Sequence, residues 1–307
     1  MEDIRVVEGA FQVDDVSLHT KSWFPSSPPK AKLVLVHGFS DHIDRYSDFA
    51  SALARRGLAV YGFDQRGWGR SVRRPADRGR SGPTATVLAD IAAFIRTQVL
   101  SDGDDVPVFV LGHSMGGGEV LTFASTSEYD GIIARVRGWV LEAPFLGFAP
   151  EVQPSWLTVA SGRIAAHVVP NFHLVRPVPT EHLCRDPEVQ ASIADDPLMH
   201  NTGTLEGLSG MIDRAESLSA GKVVLRPRVK SVFLAHGTAD MVTSFDKVKG
   251  WWDGQKFEDG TFKPYEGWFH QIHAEPGKEE FYCDVGDWIL ERCDGNEVGM
   301  GAPEAKL

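Results

Sequence analysis

Gly112-His113-Ser114-Met115-Gly116 places a serine in the spacing G-x-S-x-G. A serine hydroxyl is a weak nucleophile until a base takes its proton, so the spacing alone carries little chemistry. Its surroundings add meaning. Residues 106–111 read as an apolar strand, and Gly116-Gly117-Gly118 reads as the small-residue start of a helix. A sharp strand-to-helix turn lifts the serine hydroxyl clear of a sheet, and small flanking residues let the two backbones nearly touch. The helix N-terminus also turns free N–H groups toward developing negative charge. The chemistry expected of Ser114 is attack on an acyl carbonyl.

Such a nucleophile needs a base and an acid to orient it, both downstream of the serine. Asp240 ends His236-Gly237-Thr238-Ala239-Asp240, just past the apolar residues 231–235, where a carboxylate would sit at a strand's C-terminal end. Glu142, in Leu141-Glu142-Ala143-Pro144, also ends a strand and is the alternative acid. Two histidines compete for the base, His270 and His273, three residues apart. The segment 262–265 leads through Glu266-Gly267 into a loop that should present His270 first, leaving His273 as a neighbour or a surface histidine. The acid should fix the base's tautomer and stabilise its cation. An oxyanion needs two N–H donors. One should be the backbone of Met115, the residue after the nucleophile, and the other that of Phe39, in His37-Gly38-Phe39 after an early strand. His37 and His113 read as structural. Asp64 to Ser71 carries glycines but neither G-x-G-x-x-G nor a P-loop lysine, and reads as a turn near the site's rim.

The elements that position these residues follow a rhythm. Apolar runs at 33–36, 59–63, 106–111, 138–141 and 231–235 suit strands buried on both faces. Helical patterns at 46–56, closed by Gly57, and at 87–100 lie between the first three, and a last helix is expected over 279–293. Alternating strands and helices imply right-handed crossovers and a mostly parallel central sheet flanked by helices, here the α/β-hydrolase fold. The rhythm fails over 148–225, where Pro150, Pro154, Pro170, Pro177, Pro179, Pro187 and Pro197 separate short helical pieces. This predicts a core of 1–147 and 226–295, a helical cap inserted at 148–225, and a tail at 296–307. In the cap, Leu157, Ala160, Ile164 and Val168 recur at spacings of three and four beside Trp156, an apolar helical face suited to core, to a pocket lid or to a lipid surface.

The 307 residues, 42% of them hydrophobic, can build one large domain with an insertion. A net charge of −11 argues against a nucleic-acid partner and against polybasic docking to anionic lipid, so a neutral substrate is expected. Cys184, Cys283 and Cys293 suggest neither a disulfide framework nor a zinc site, and no metal or cofactor is expected. The opening residues lack an apolar signal core, and no stretch reaches the length of a membrane span. An intracellular protein, cytoplasmic or at the surface of a lipid droplet, is the expectation. Ala305-Lys306-Leu307 approximates a peroxisomal Ser-Lys-Leu address, against the alternative of a plain tail.

Taken together, His37-Gly38-Phe39-Ser40-Asp41-His42, Asp64 to Ser71, Gly112 to Gly117, Asp196-Pro197-Leu198, His236 to Asp240 and Tyr265 to His270 resemble the monoacylglycerol lipase family, including its fungal members. The resemblance runs over about residues 30–290. It implies cofactor-free hydrolysis of fatty-acyl glycerol monoesters, with diacylglycerol as a further substrate. It also implies Ser114, Asp240 and His270 as the triad and Phe39 and Met115 as oxyanion donors. Asp41 departs from the Glu common before the histidine in that family, and Phe39 stands where a small residue is common. The alternatives are a lysophospholipase, thioesterase or general carboxylesterase with the same triad, and a non-catalytic lipid-binding receptor.

Overall fold

The computed structural model describes residues 3–100 and 105–293. The tail and the Ala305-Lys306-Leu307 tripeptide lie outside the described residues. The strands are β1 (Arg5–Val13), β2 (Val16–Phe24), β3 (Ala31–Val36), β4 (Leu58–Phe63), β5 (Val108–His113), β6 (Val136–Glu142), β7 (His173–Val175), β8 (Thr202–Thr204), β9 (Ser231–Gly237) and β10 (Asp259–Tyr265). The α-helices are α1 (Ser47–Arg55), α2 (Thr84–Phe94), α3 (Met115–Phe123), α4 (Asp130–Ile133), α5 (Trp156–Val168), α6 (Pro187–Ala194), α7 (Leu205–Ser219), α8 (Phe245–Asp253) and α9 (Glu279–Leu290).

Eight strands form one sheet in the order β1-β2-β4-β3-β5-β6-β9-β10, and β2 alone runs against its neighbours. Every residue of β3, β5 and β9 is buried, which is why those runs carry no polar alternation. One face packs Phe94, Phe123, Leu218 and Trp251 from α2, α3, α7 and α8. The other packs Phe49, Leu53, Phe281 and Trp288 from α1 and α9. This is the α/β-hydrolase arrangement expected above. Two helices differ from expectation. The last ends at Leu290 rather than at Cys293, and α2 runs from Thr84 to Phe94 before a π-turn over Ile95–Val99. Cys184 is buried and Cys283 exposed, and neither is in a disulfide.

Between β6 and β9 the chain leaves the sheet and builds α5, α6, α7 and the antiparallel pair β7–β8 before returning. The two strands it joins are hydrogen-bonded neighbours, Trp139 facing Val232 and Glu142 facing Ala235. Buried polar contacts seat this insertion. Arg214 on α7 donates to Glu119 on α3 at 3.1 Å and to Thr84, which opens α2, at 2.9 Å. Burial pushes the Glu119 carboxyl up to about 7 against the pull of Arg214. His42, following β3, bonds Asp196 at 2.9 Å.

Helix α5 buries none of its residues. Ser155 caps it by accepting from the Thr158 amide. Trp156, Leu157, Ile164 and Val168 are 75, 61, 72 and 77% exposed, and Ala160 is half-buried, so this stripe is surface and not core. The residues of α5 that line the cavity beneath are Thr158, Val159, Gly162 and Arg163.

Candidate active site

The turn between β5 and α3 holds Ser114 at φ 53°, ψ −118°, in the left-handed half of backbone space that a serine rarely occupies. The surroundings over-determine it. The Ser114 amide donates to the Glu142 carbonyl at 3.0 Å, and the Ser114 carbonyl accepts from Phe145 at 2.8 Å. A Cβ on Gly112 would lie 2.5 Å from the Gly116 carbonyl oxygen, and one on Gly116 would strike the Val36 carbonyl, so both glycines are required by close approach.

His270 follows β10 in a loop and is buried. Its Nε2 lies 2.9 Å from Ser114 Oγ and its Nδ1 lies 2.8 Å from Asp240 Oδ2. Asp240 follows β9 and is held on every side. Its Oδ1 accepts from the Val242 and Thr243 amides at 2.7 and 2.9 Å. Its Oδ2 accepts from the Thr243 hydroxyl at 2.7 Å and faces His236 Nε2 at 3.2 Å. Burial works to raise the Asp240 pKa, but the His270 and His236 imidazoles outweigh it and hold the carboxyl well below the usual range. The acid is therefore ionised and His270 carries its proton on Nδ1. That leaves the Nε2 lone pair facing the serine hydroxyl, the arrangement for proton removal.

The other histidines have different partners. Tyr46 donates to Asp41 at 2.7 Å, so the proton in its 2.8 Å contact with His113 must sit on His113 Nδ1. Burial lowers the His113 pKa to about 3 and keeps it neutral. His37 accepts from the Gln65 amide at 2.9 Å and donates to Gly38 O at 2.8 Å, so it fastens the turn after β3 to the turn after β4. His273 is not a surface residue. It is 3% exposed, stacks on Tyr46, and meets Glu142 Oε1 through both its amide (2.9 Å) and its Nδ1 (2.7 Å). Glu142 therefore serves the second histidine, while Asp240 serves the first. Sequence spacing offers no metal-ligand set, yet the fold gathers His113, Glu142 and His273 with candidate ligand atoms within 4.8 Å of one another.

Two amides flank the serine. Met115 opens α3, so its N–H has no intrahelical acceptor. Phe39 comes from the turn after β3, where a Cβ on Gly38 would lie 3.1 Å from Ser114 Cβ. The two chain segments are thus in contact at the nucleophile. The Phe39 ring packs edge-on against Trp68 at 4.9 Å, and Trp68 stacks on His200 at 5.1 Å, so the segment from Asp64 to Ser71 backs the Phe39 ring without itself lining either cavity.

Two cavities meet at Ser114. The larger, about 410 Å³, is lined by apolar side chains including Phe145, Phe148, Leu174, Leu205 and Met211, and its only charged residues are Arg163 and Arg176. The smaller, about 110 Å³, lies on the His270 side against Asp41, Thr180, Asn201 and Gln271. Phe39, Val178 and Val242 line both. The exposed α5 stripe, from Trp156 through Val168, lines neither.

The family described as serine aminopeptidase, S33 matches residues 27–277. The chain belongs to this family. Among curated relatives, a monoacylglycerol lipase of Mycolicibacterium smegmatis is 30% identical, covering 87% of this chain and 91% of that one. The mouse monoglyceride lipase is 29% identical, covering 94% and 91%. Among solved structures, a soluble variant of the Saccharomyces cerevisiae monoglyceride lipase in complex with a substrate analogue superposes with TM-score 0.82 at 19% identity, covering 94% of this chain and 97% of that one. This member of the S33 family is a carboxylic-ester hydrolase, as expected from its sequence.

Sequence reasoning did not find His236, Thr243 or Glu275. His236 lies four residues before the acid, inside a segment read only for its aspartate, and its alignment with Asp240 arises from the turn that ends β9. Thr243 and Glu275 carry no motif at all.

Proposed function

We propose that this protein is a monoacylglycerol lipase working through an acyl-enzyme on Ser114. The observation that carries the reading is the pair of unequal cavities joined at the serine. A long acyl chain suits the large apolar one, and a glycerol head suits the small one, where Asp41, Thr180, Asn201 and Gln271 stand among apolar residues such as Leu183 and Ile193. A second acyl chain on the same glycerol finds no comparable space on the His270 side, so the monoester is the preferred substrate and diacylglycerol the slower one.

Ser114 Oγ attacks the ester carbonyl carbon while His270 Nε2 takes its proton. The oxyanion is held by the Phe39 and Met115 amides, donors already in place before charge develops. The carbon–oxygen bond to glycerol breaks, and His270 returns the proton to the leaving oxygen. Water then attacks the acyl-enzyme, giving its proton to His270, and the fatty acid leaves as Ser114 regains its hydrogen. Asp240 stays ionised throughout and stabilises the imidazolium. The family's description names an aminopeptidase, but that reaction must seat a cationic amine. No carboxylate lines the large cavity to pair with it, and the one lining the smaller cavity, Asp41, already accepts from the Tyr46 hydroxyl and the His42 amide.

The insertion over 148–225 is read as a cap whose α5 stripe meets lipid. Trp156, Leu157, Ile164 and Val168 would otherwise present their apolar surface to water. Contact through apolar side chains also suits a chain of net charge −11. Replacing Trp156, Ile164 and Val168 with Ser should lower binding to neutral phosphatidylcholine vesicles on the order of 100-fold, at an assumed ~1 kcal/mol per buried side chain. The same variant should keep its turnover of a soluble short-chain ester. Co-sedimentation tests the first part, and unchanged vesicle binding would remove the lipid-surface role.

The function itself is tested by fatty-acid release from matched mono-, di- and triacylglycerols, lysophosphatidylcholine and an acyl-CoA. The highest kcat/KM is expected for the monoacylglycerol. A preference for the phospholipid or the thioester would keep the chemistry and overturn the named substrate.

A further inference from the structure

We infer that Glu275 and Arg185 form a positioning strap that makes the placement of His270 depend on the seating of the insertion. The inference rests on the reading of His270 as the base. His270 must satisfy two short contacts at once, with Ser114 at one ring nitrogen and Asp240 at the other. Its backbone neighbours decide whether it can.

Both neighbouring amides are held by residues 183–185 of the insertion, one directly and one through a bridging carboxylate. The Gln271 amide donates to the Leu183 carbonyl at 2.7 Å. The Phe269 amide donates to Glu275 Oε1 at 2.9 Å. The same oxygen accepts from the Arg185 amide at 3.2 Å, and the other carboxylate oxygen accepts from Arg185 Nε at 2.7 Å. The Arg185 guanidinium also lies 5.9 Å from the centre of the Trp268 ring, in the same loop. The Glu275 side chain is wholly buried while that of Arg185 is 38% exposed. A buried carboxylate is costly unless paired. Withdrawing Arg185 therefore leaves the anion that holds Phe269 without its cation, and the loop is expected to shift rather than keep it.

The same stretch of insertion walls the smaller cavity, through Val178, Thr180 and Leu183. Glu275 and Arg185 touch no reacting atom. Their part is to hold the base loop against the wall of the chamber beside His270.

Arg185→Met tests this, because it keeps an apolar stem against Trp268 at an exposed position and removes only the cation. A displacement of about 1 Å at a catalytic group costs on the order of 100-fold, so a fall in kcat of about 10- to 100-fold is expected for a soluble ester, with KM within about twofold. Labelling of Ser114 by a fluorophosphonate should slow in parallel. Glu275→Gln keeps an oxygen for the two amides but sets its NH2 against Arg185, and should show the same signs. If that variant folds poorly, Arg185→Met decides alone. Wild-type kcat and an unchanged labelling rate in Arg185→Met, beside an inactive His270→Ala, would overturn the strap alone. The same is true of a change confined to KM. An active His270→Ala would instead overturn the assignment of the base.

Discussion

Replacing Ser114 with Ala is expected to lower kcat for ester hydrolysis by about a million-fold, the scale seen when an activated serine is removed from a preassembled triad. Among the described residues the hydroxyl's hydrogen-bond partner is His270 Nε2, at 2.9 Å. A lost hydrogen bond of about 1 kcal/mol shifts the midpoint of thermal unfolding by only about 2–4 °C in a chain of this size. Covalent labelling by a fluorophosphonate should vanish in the variant and proceed quickly in the wild type. Retained turnover in a correctly folded Ser114→Ala protein would remove the serine from the chemistry, and with it the acyl-enzyme.

The second large effect is at the acid. Asp240→Asn is expected to reduce kcat about 10,000-fold, by reversing the base's tautomer. The direction follows from local contacts. Oδ1 accepts from two backbone amides, Val242 and Thr243, so in the Asn variant the carbonyl oxygen must keep that place. The NH2 group then takes the place of Oδ2 and donates to His270 Nδ1. The proton of His270 is driven onto Nε2, where it points at Ser114 and blocks proton removal. A flipped amide would set its NH2 against two N–H donors, which closes the escape. The carboxylate also contributes to stability. Its folded-state pKa is lowered from 3.8, so its contribution is present above that value and is lost only as pH falls through the lowered one. Steady-state rates with the soluble ester test the first claim; near-wild-type activity would show that Asp240 does not set the tautomer.

What could be read from the chain depended on whether the cause was local. Fully buried strands such as β3 and β5 announce themselves because burial on both faces leaves no room for polar alternation. Ser114 was legible because its turn brings two backbones together and so demands glycine on either side. Asp240 and His270 were legible because chain order and strand ends restrict them to few positions. The base loop's supports were not. Arg185 and Glu275 are 90 residues apart, and His273 and Glu142 are 131 apart, and no spacing rule links them. The environment of α5 was equally hidden. An apolar stripe gives the face of a helix but not what lies against it, and here Val159 and Gly162 turn to the cavity while Trp156 and Ile164 face out.

The insertion begins and ends on adjacent, hydrogen-bonded strands, β6 and β9. The two strands run parallel, so the segment leaves at the C-terminal end of β6 and returns at the N-terminal end of β9. These ends lie about 13 Å apart along the sheet, by the rise of the four residues from Ser231 to Ala235, and the sheet itself fixes both. Exchange between related enzymes is feasible for the portion ahead of α7, because α7 itself packs Leu218 into the core face of the sheet. The strap limits that freedom. A graft that places no backbone carbonyl where that of Leu183 meets the Gln271 amide, and no cation at 185, would bring a new pocket together with a loosened histidine. Specificity in this scaffold can be traded as a module only if the module carries its own hold on the base.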